Sequence, residues 1–259
     1  MTDSIVRSEA ASCRRAWVLT TLRRAGFLAV NDVARELGVS HMTVRRDLHA
    51  MQQAGEVRLV HGGASLPTNA VPAFADDGNE AGRTRVAERA VAMVGSTETI
   101  VLDAGPTPRA VARALPADFR GSVITHSMPV LRLFEEEPGP ATAVALGGEL
   151  LPDRHAFFGP TAEAALEQLR ARTFFLQPAA VDGRGLYART PAEANLQRRM
   201  IEISDRVVLV ATHEVYGTSA PARIVPLDRL TALVNDQPLP RTVAAALHRA
   251  GIATHIADY

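Results

Sequence analysis

Residues 30–64 constrain the fold of this chain more than any other stretch. Val33, Ala34 and Leu37 are spaced so that they share one face of a short helix. Gly38 follows, and glycine adopts the left-handed backbone of a tight turn at no steric cost. The segment is therefore predicted to begin with a helix that ends in a tight turn.

A second helix is predicted directly after this turn. Ser40 is placed to cap its first turn, and Val44, Leu48 and Met51 recur on one face that can be buried. The rest of the helix presents arginine, histidine and small hydroxyl side chains, a combination that suits the major groove of DNA. The residues of this helix predicted to contact DNA are Ser40, His41, Thr43, Val44, Arg45, Arg46 and His49.

A short β-ribbon over residues 56–63 is predicted to follow as a wing. Its Arg58 and His61 are placed to reach DNA phosphates. An ordinary surface pair of helices with exposed arginines is the alternative interpretation. The helical spacing, the turn glycine, the serine cap, the arginine pair and the glycine-ended ribbon all coincide, which favours DNA binding.

The charge distribution agrees with nucleic-acid contact at one end of the chain. All 28 basic residues are arginine, which excludes a Schiff-base lysine and a Walker-type phosphate-binding lysine. Residues 1–64 contain nine arginines against six acidic residues, while the remainder has a net charge of −3. A basic small domain joined to an acidic larger one is typical of a protein that binds nucleic acid through the small domain.

The remaining composition excludes several classes of protein. The single Cys13 excludes an internal disulfide and a cysteine metal cluster, so we expect neither a metal nor another cofactor. The sequence has no 18-residue apolar run and no signal-peptide core. We therefore expect a cytoplasmic protein that has no membrane partner.

The sequence predicts two domains joined by a linker: a DNA-binding domain over residues 12–66, a linker over residues 67–79 and a larger domain over residues 80–259. In the larger domain, short β-branched runs alternate with helical segments, which predicts an α/β fold with a doubly wound, mostly parallel, Rossmann-like sheet. The predicted strands are residues 99–102, 122–125, 143–146, 174–176, 207–210 and 232–234.

The loops after these strands contain polar and glycine residues suited to a small molecule. Thr107 is predicted to cap a helix with Pro108 as its first residue, and a helix start suits a phosphate. In a parallel sheet such loops converge beyond the carboxyl ends of the strands. Taken singly, each loop is explained equally by turn and capping chemistry. The predicted effector-binding residues are Asp103, Gly105, Thr107, Thr125, His126, Ser127, Gly147 and Gly148.

Both halves of the chain resemble one family. Residues 40–48, with the pattern Ser-x-x-Thr-Val-Arg-Arg-Asp-Leu, and Val-His-Gly-Gly-Ala at residues 60–64 are similar to the amino-terminal domain of DeoR-family bacterial transcription repressors. Residues 80–217 resemble the effector domain of the same family, which is similar to sugar-phosphate isomerases. The resemblance implies a winged helix-turn-helix that binds double-stranded operator DNA, and a sensor for a sugar phosphate.

Several family residues differ in this chain. Thr-Thr of the family is Thr107-Pro108 here, and Gly-Ala-Asp-Gly is Gln-Pro-Ala-Ala at residues 177–180. A family lysine is Gln197, and Asp-x-x-Lys is Thr-His-Glu-Val at residues 212–215. Two cations and two carboxylates are thus replaced. The candidate substitutes are Arg109 and Arg198 for the cations and Asp182 for a carboxylate.

Three functions remain open at this point. The leading hypothesis is a transcription regulator, not an enzyme, that represses carbohydrate-metabolism genes and leaves DNA when it binds a sugar phosphate or related metabolite. Operators are usually bound by symmetric dimers, so we expect a homo-oligomer assembled through the carboxyl-terminal domain. The alternative is a sugar-phosphate isomerase-like enzyme in which Asp103 is the base and His126 the acid. The third is a DNA-bound interaction protein without a functional effector site.

Overall fold

The chain divides into two compact units, residues 1–75 and residues 76–259. The division falls inside the stretch predicted as a linker, and residues 67–78 of that stretch lie outside the described part of the chain. None of the described helices is long and apolar enough to cross a membrane. The computed structural model describes residues 13–22, 27–54, 56–60, 63–65 and 79–257.

The described residues of the first unit form three helices and a small antiparallel sheet with the strand order β1-β3-β2. Val18 and Leu22 of the first helix pack with the buried side chains of the other two. The elements are α1 (residues 13–22), β1 (Phe27–Ala29), α2 (Val30–Leu37), α3 (His41–Gln53), β2 (Arg58–Val60) and β3 (Gly63–Ser65).

The predicted helix-turn-helix is confirmed in its details. Gly38 adopts the left-handed conformation, with φ 62° and ψ 32°, and its amide donates to the carbonyl oxygen of Ala34. The Oγ of Ser40 accepts a hydrogen bond from the backbone N–H of Thr43, at 3.2 Å. The turn and the cap therefore set the direction in which α3 leaves α2.

The wing strands differ from the predicted ribbon over residues 56–63. They begin at Arg58 and Gly63, and β1 pairs with β3 as a third strand that was not predicted. The residues just before β2 have another role, since Glu56 N–H donates to the Met51 carbonyl oxygen and Val57 is buried in the core. The end of α3 thus uses residues that the alternating pattern had assigned to the ribbon.

The second unit is built on a seven-stranded sheet in which every described strand pair is parallel. Its strand order is β15-β14-β12-β9-β4-β5-β6. The predicted doubly wound, mostly parallel sheet is confirmed. The strands of this sheet are β4 (Thr99–Leu102), β5 (Ser122–Thr125), β6 (Thr142–Ala145), β9 (Ala171–Leu176), β12 (Ser204–Ala211), β14 (Ala232–Asn235) and β15 (Ala253–Ile256).

Helices cover both faces of this sheet. Phe174 and Phe175 are adjacent in β9 and fully buried on opposite faces, because successive side chains of a strand alternate. Helices α4, α5 and α6 pack on the Phe175 face, and α7, α8 and α9 pack on the Phe174 face. The helices are α4 (Glu80–Val91), α5 (Pro106–Ala114), α6 (Met128–Glu136), α7 (Pro160–Leu166), α8 (Pro191–Glu202) and α9 (Arg241–Arg249).

All six predicted strands are present, with ends that move by at most three residues. The seventh strand, β15, was not predicted because it lies at the sheet edge, where Ala253 and Thr254 are exposed and the apolar pattern is weak. Two small antiparallel sheets were also missed. They consist of β7 (Glu149–Leu151) with β8 (Ala156–Phe158), and of β10 (Ala180–Asp182), β11 (Gly185–Ala188) and β13 (Ala222–Arg223).

The strand order determines where the chain can bind a small molecule. The chain runs outward from β4 to β6 on one side, then returns to β9 and runs to β15 on the other. Such a reversal leaves a crevice at the carboxyl ends of the two central strands, here β4 and β9. Asp103 follows β4 directly and Gln177 follows β9 directly, so both residues lie at this crevice.

Candidate DNA-binding and effector sites

Helix α3 has one buried face and one exposed face. Val44, Asp47, Leu48 and Met51 are buried, while the other side of the helix is open to solvent. Arg45 and Arg46 are among the exposed residues, so their guanidinium groups are available to a partner. The exposed residues of the first three turns are His41, Met42, Arg45, Arg46 and His49, and Thr43 is partly exposed.

Not every predicted DNA contact lies on the exposed face. Val44 is only 2% exposed and packs in the core of the first unit, so its predicted contact with DNA is wrong. The sequence analysis had also assigned Val44 to the buried face of the helix, and the structure shows that it has this buried role. The backbone of Arg58 lies in β2, but its side chain and the whole of His61 lie outside the described residues. Their phosphate contacts stay predictions.

An ion pair holds α3 against the rest of its unit. Asp47 lies on the buried side of the helix and accepts from Arg14 Nε, at 2.8 Å. Both side chains are mostly buried, and a charged hydrogen bond of this kind is stronger than a neutral one. The pair joins α3 to α1 and leaves the arginines of the opposite face free.

Met42 is an exposed residue that the sequence prediction missed. Its side chain is 74% exposed on the first turn of α3, beside the predicted contact residues. Its position off the face formed by Val44, Leu48 and Met51 is the signal that identifies it in the sequence. An apolar side chain at this place has the chemistry to contact the methyl group of thymine.

The Ser40 cap provides a test of how α3 is held. Replacing Ser40 by alanine is expected to destabilise the first unit by about 1 kcal/mol, because the Thr43 N–H loses its acceptor. Ser40→Asn is the matched control, since asparagine caps helices as well as serine does. Thermal unfolding of the full chain, followed by circular dichroism, measures both. Equal unfolding temperatures for the two variants would contradict the capping role.

Asp103 is the centre of the candidate effector site. Its side chain is 1% exposed, and Oδ1 accepts from Ala104 N–H at 2.8 Å. Oδ2 accepts from Gln177 N–H at 3.1 Å and from Gln197 Nε2 at 2.8 Å. Asp103 therefore joins the loop after β4 to the loop after β9 and to helix α8. A buried carboxylate needs such donors, and here it organises the walls of the crevice.

His126 is held on both sides of its ring. Its Nδ1 lies 3.0 Å from the carbonyl oxygen of Phe157, and because a carbonyl oxygen only accepts, Nδ1 is the donor. Its Nε2 lies 3.1 Å from Ala104 N and 3.1 Å from Asp103 Oδ1. The ring also meets Phe158 edge-on, with the centroids 5.1 Å apart. His126 and Asp103, the acid and base of the enzyme alternative, thus contact each other within the protein interior.

The hydroxyl groups near this site differ in their availability. Thr125 Oγ1 donates to the Leu102 carbonyl oxygen and accepts from Ser127 N–H, so its predicted role in binding an effector is replaced by a structural one. In contrast, Thr107 Oγ1, Ser127 Oγ and Gln197 Oε1 are buried and have no hydrogen-bond partner among the described residues. Buried polar atoms without partners are costly, and the hydroxyls of a ligand would satisfy them.

The start of α5 differs from the prediction. Gly105 precedes the helix and Pro106 is its first residue, so Thr107 lies inside the helix instead of capping it. Proline has no N–H to lose at a first helical position, which allows the helix to begin earlier. Thr107 N–H donates to Gln177 Oε1, at 3.0 Å. A Cβ atom at Gly105 would collide with the same Gln177 amide, which explains the glycine.

The glycine pair after β6 has a conformational role. Gly147 and Gly148 have φ values of 65° and 108°, which side chains rarely allow. A Cβ on Gly148 would lie 2.5 Å from the carbonyl oxygen of Phe158, so the turn packs closely against β8. The described hydrogen bonds do not join these two glycines to Asp103.

Comparison with known proteins connects both sites to one family. Residues 14–70 match the DeoR-like helix-turn-helix domain, and residues 78–237 match the DeoR C terminal sensor domain. The chain belongs to the DeoR family. The resemblance predicted from residues 40–48 and 60–64 is thereby confirmed.

Three DeoR-family relatives are full-length matches. The transcriptional repressor AccR of Agrobacterium fabrum is 31% identical, with 86% of this chain and 88% of the relative covered. The HTH-type transcriptional regulator GlpR of Haloferax volcanii is 29% identical, with 86% and 89% covered. The glycerol-3-phosphate regulon repressor of Escherichia coli is 26% identical, with 90% and 94% covered. The chain is accordingly a DNA-binding transcription regulator and not an enzyme.

The substitute charges proposed for the missing DeoR-family residues have structural partners elsewhere. Arg198 donates to the carbonyl oxygens of Arg223 and Ile224, and therefore holds the strand β13 region against α8. Asp182 accepts from Arg184 and Tyr187 in its own turn; burial raises its pKa, but these hydrogen bonds outweigh burial and lower it. Neither residue is available to replace a family charge at the crevice.

Arg109, the other candidate cation, faces neighbouring helices of this DeoR-family chain. Burial lowers its pKa, Arg113 lowers it further, and Glu136 and Glu80 oppose the change. These two carboxylates belong to α6 and α4, and Asp103 is not among the charges that affect the pKa of Arg109. The prediction that Arg109 supplies the missing cation is therefore not supported.

Two other arginines, Arg154 and Arg189, lie near enough to Asp103 for its charge to affect their pKa values, and the sequence prediction missed both. Arg154 lies in the turn between β7 and β8, and it forms an ion pair with Glu193. Burial, with Arg189 adding to the effect, lowers the pKa of Arg154 to about 10, while Asp153 and Asp103 oppose the change. Partial burial also lowers the pKa of Arg189, although much of the residue is exposed to solvent. The negative charge of Asp103 again opposes the change. No motif identifies these arginines, because three separate loops bring them together.

The residues that replace the Asp-x-x-Lys of the DeoR family form a second polar cluster. Asn79 Nδ2 donates to Glu214 Oε1 at 3.0 Å and to Asp236 Oδ2 at 2.9 Å, and His213 N–H donates to Asp236 Oδ1 at 2.8 Å. Asn79 also caps α4, so the cluster fixes the start of that helix at the ends of β12 and β14. Burial, with the charge of Asp236, raises the pKa of Tyr216 beside the cluster.

Proposed function

We propose that this DeoR-family regulator represses carbohydrate-metabolism genes and is released from operator DNA by a sugar phosphate or related polyhydroxylated metabolite. The main support is the crevice between β4 and β9, where Thr107, Ser127 and Gln197 have buried oxygens without partners among the described residues. The name of one relative, the glycerol-3-phosphate regulon repressor, supports the class of effector.

The proposed DNA-binding surface is the exposed face of α3 together with the wing. Arginines that fork toward guanine and smaller polar groups that contact phosphates are the side chains such a face requires. Val44 is left out because it is buried, and Met42 is added because it is exposed. The proposed contact residues are Ser40, His41, Met42, Thr43, Arg45, Arg46, His49, Arg58 and His61.

The proposed effector contacts come from the three loops that meet at Asp103. Asp103 and His126 organise the site. The hydroxyls of Thr107 and Ser127 donate to or accept from ligand hydroxyls, and Gln197 Oε1 accepts from them. Gly105 belongs to the site because it leaves room for the Gln177 side chain. Gly147 and Gly148 keep the turn beside it in shape.

The function is tested with an operator selected from random DNA. We expect the full chain to bind this operator in fluorescence anisotropy, and we expect at least one of a panel of sugar phosphates, sugar acids and sugars to release it. Operator binding that no panel metabolite changes would favour a DNA-bound protein without a functional effector site. Turnover of aldose or ketose phosphates would support the enzyme alternative and contradict the proposal.

A homo-oligomer formed through the carboxyl-terminal domain is also proposed. One helix-turn-helix makes few contacts, and symmetric dimers double them on a two-fold operator. Sedimentation velocity of the full chain at micromolar concentration, alone and with operator DNA, measures the assembly. A monomer in the absence of DNA, together with one protomer per operator in its presence, would contradict this part of the proposal.

A further inference from the structure

We propose that the effector bears an acidic group, and that the guanidinium groups of Arg154 and Arg189 bind it in place of the start of helix α5. The inference rests on the proposed sensing function and specifies which chemistry its site recognises. It follows from three features: an occupied helix start, two arginines near Glu193 of which Arg189 has no side-chain partner among the described residues, and a set of buried oxygens without partners there.

The start of α5 is already occupied by a side chain of the protein. Its Thr107 N–H donates to Gln177 Oε1, and Pro106 and Pro108 have no N–H. Residues 106–108 therefore leave no free backbone donor for an anion. An arriving phosphate would have to displace the Gln177 amide and would gain one hydrogen bond, whereas anion sites at helix starts use several N–H groups.

The start of α6 is closed in a similar way. Ser127 N–H donates to Thr125 Oγ1, at 3.1 Å, and Met128 N–H donates to the His155 carbonyl oxygen, at 2.8 Å. Pro129 has no N–H. The starts of α5 and α6 thus both have their first donors used within the protein.

Helix α8 connects Arg154 and Arg189 to the contacts of Asp103. Glu193 and Gln197 are four residues apart and share one face of this helix. Gln197 Nε2 donates to Asp103 Oδ2, and Glu193 pairs with Arg154, so Arg154 lies one helical turn from the Asp103 contact. Glu193 also accepts from the backbone N–H of Arg189, at 2.8 Å. Glu193 therefore contacts the guanidinium of Arg154 and the backbone of Arg189, one helical turn from the contact between Gln197 and Asp103.

The two arginines near Glu193 carry one positive charge more than Glu193 neutralises. Glu193 is shared by the ion pair with Arg154 and by the N–H groups that form the α8 capping box. Among the described residues, the Arg189 guanidinium makes no hydrogen bond or ion pair, and Asp103 is already bonded by three donors. Burial and the positive charge of Arg189 lower the pKa of Arg154, and an anion bound near Arg154 would oppose this change.

Guanidinium groups suit this task better than the lysine that the chain lacks. Their planar forks bind carboxylates and phosphates through two parallel hydrogen bonds. The buried oxygens of Thr107, Ser127 and Gln197 then remain for hydroxyl groups. The ligand is therefore an acid with several hydroxyls, either a sugar acid or a sugar phosphate.

Calorimetry with the full chain separates these two sources of the anion. The probes are a panel of aldonates, aldose phosphates and ketose phosphates, together with their neutral parent sugars. We expect the tightest probe to be an acid and to bind at least about tenfold more tightly than its neutral parent, because charged hydrogen bonds contribute at least that factor. A neutral sugar as the tightest probe, or no probe binding at millimolar concentration, overturns the inference.

Arginine variants then locate the acidic group. Arg189→Gln and Arg154→Gln are each expected to weaken the acid at least about tenfold and to leave the neutral parent unchanged. Arg154→Lys, which keeps the charge but loses the fork, is expected to lie between them and the wild type. The matched control is Arg170→Gln, an exposed arginine that pairs with Asp205 at the amino ends of the strands and should bind the acid normally. Unchanged acid binding in Arg189→Gln overturns the inference even if the Arg154 variants fail to fold.

The Gln177→Ala variant tests the other half of the inference. If the start of α5 were the anion site, removing the Gln177 amide would raise affinity for the acid at least about tenfold. We expect no such gain, and a gain would overturn the inference. Operator anisotropy on the same preparations keeps the two proposals apart. If the acid binds at the arginines but does not release the operator, only the proposed function is contradicted. If the acid releases the operator equally well from the wild type and from both arginine variants, only the inference is contradicted.

Discussion

Replacing Arg45 and Arg46 together by alanine is expected to remove most of the preference of this regulator for its operator. Both side chains are exposed on the open face of α3, where an arginine can fork to guanine. Each base-contacting arginine that is lost should weaken operator binding by about 1–3 kcal/mol. Anisotropy with a selected operator and a scrambled duplex, at one fixed salt concentration, measures the affinity and the preference.

The two single variants show which arginine contacts a base. A base contact changes preference, whereas a phosphate contact weakens binding to every sequence alike and lowers the salt dependence. The control is Arg172→Ala, which removes the same charge from an exposed site of the second unit. If both single variants and the double variant keep the wild-type affinity and preference, α3 is not the recognition helix.

Replacing Asp103 by alanine should cost the second unit about 3–5 kcal/mol of unfolding free energy, as loss of a buried charged partner does elsewhere. The backbone N–H groups of Ala104 and Gln177 and the Gln197 amide would all lose their acceptor. Each is buried or nearly so, and water does not readily replace the carboxylate. Urea unfolding of the full chain, followed by circular dichroism, measures the loss.

Asp205→Ala is the control for Asp103→Ala. Asp205 is an exposed carboxylate that pairs with Arg170 and Arg172. Hydrogen bonds from Arg170 lower its pKa, yet water screens such surface pairs and we expect little change in stability. Equal unfolding midpoints for the two variants would mean that Asp103 does not organise the crevice. Asp103→Asn, which keeps the size but offers fewer acceptors, should fall between them.

The helix-turn-helix was predictable because its determinants are local. The Gly38 turn, the Ser40 cap and the buried face of α3 depend on residues within a few turns of each other. The wing was less predictable, since the end of α3 uses the residues just before β2, and β1 pairs with β3 as an additional strand. Val44 shows the same limit, because helical spacing alone allowed it both a buried role and a contact role.

The crevice was predictable in position but not in its contacts. Asp103, His126 and Ser127 directly follow strands, and parallel strands bring such residues to one edge. Thr125 follows the same rule, yet its hydroxyl is used within the protein. Neighbouring strands determine which hydroxyls form hydrogen bonds within the protein. This cannot be predicted from the order of residues along one strand.

The sequence by itself therefore determined the family and the alternation of strands and helices, since periodicity, capping and turn chemistry act over a few residues. Only the tertiary structure decided which groups meet at Asp103. Its partners Gln177 and Gln197 are 74 and 94 residues away along the chain, and Arg154 comes from a turn that no motif singles out. Those contacts follow from the strand order, which places β4 beside β9, and from the face of α8 that packs above them. Through these contacts the Gln177 side chain occupies the start of α5, and Glu193 of α8 pairs with Arg154.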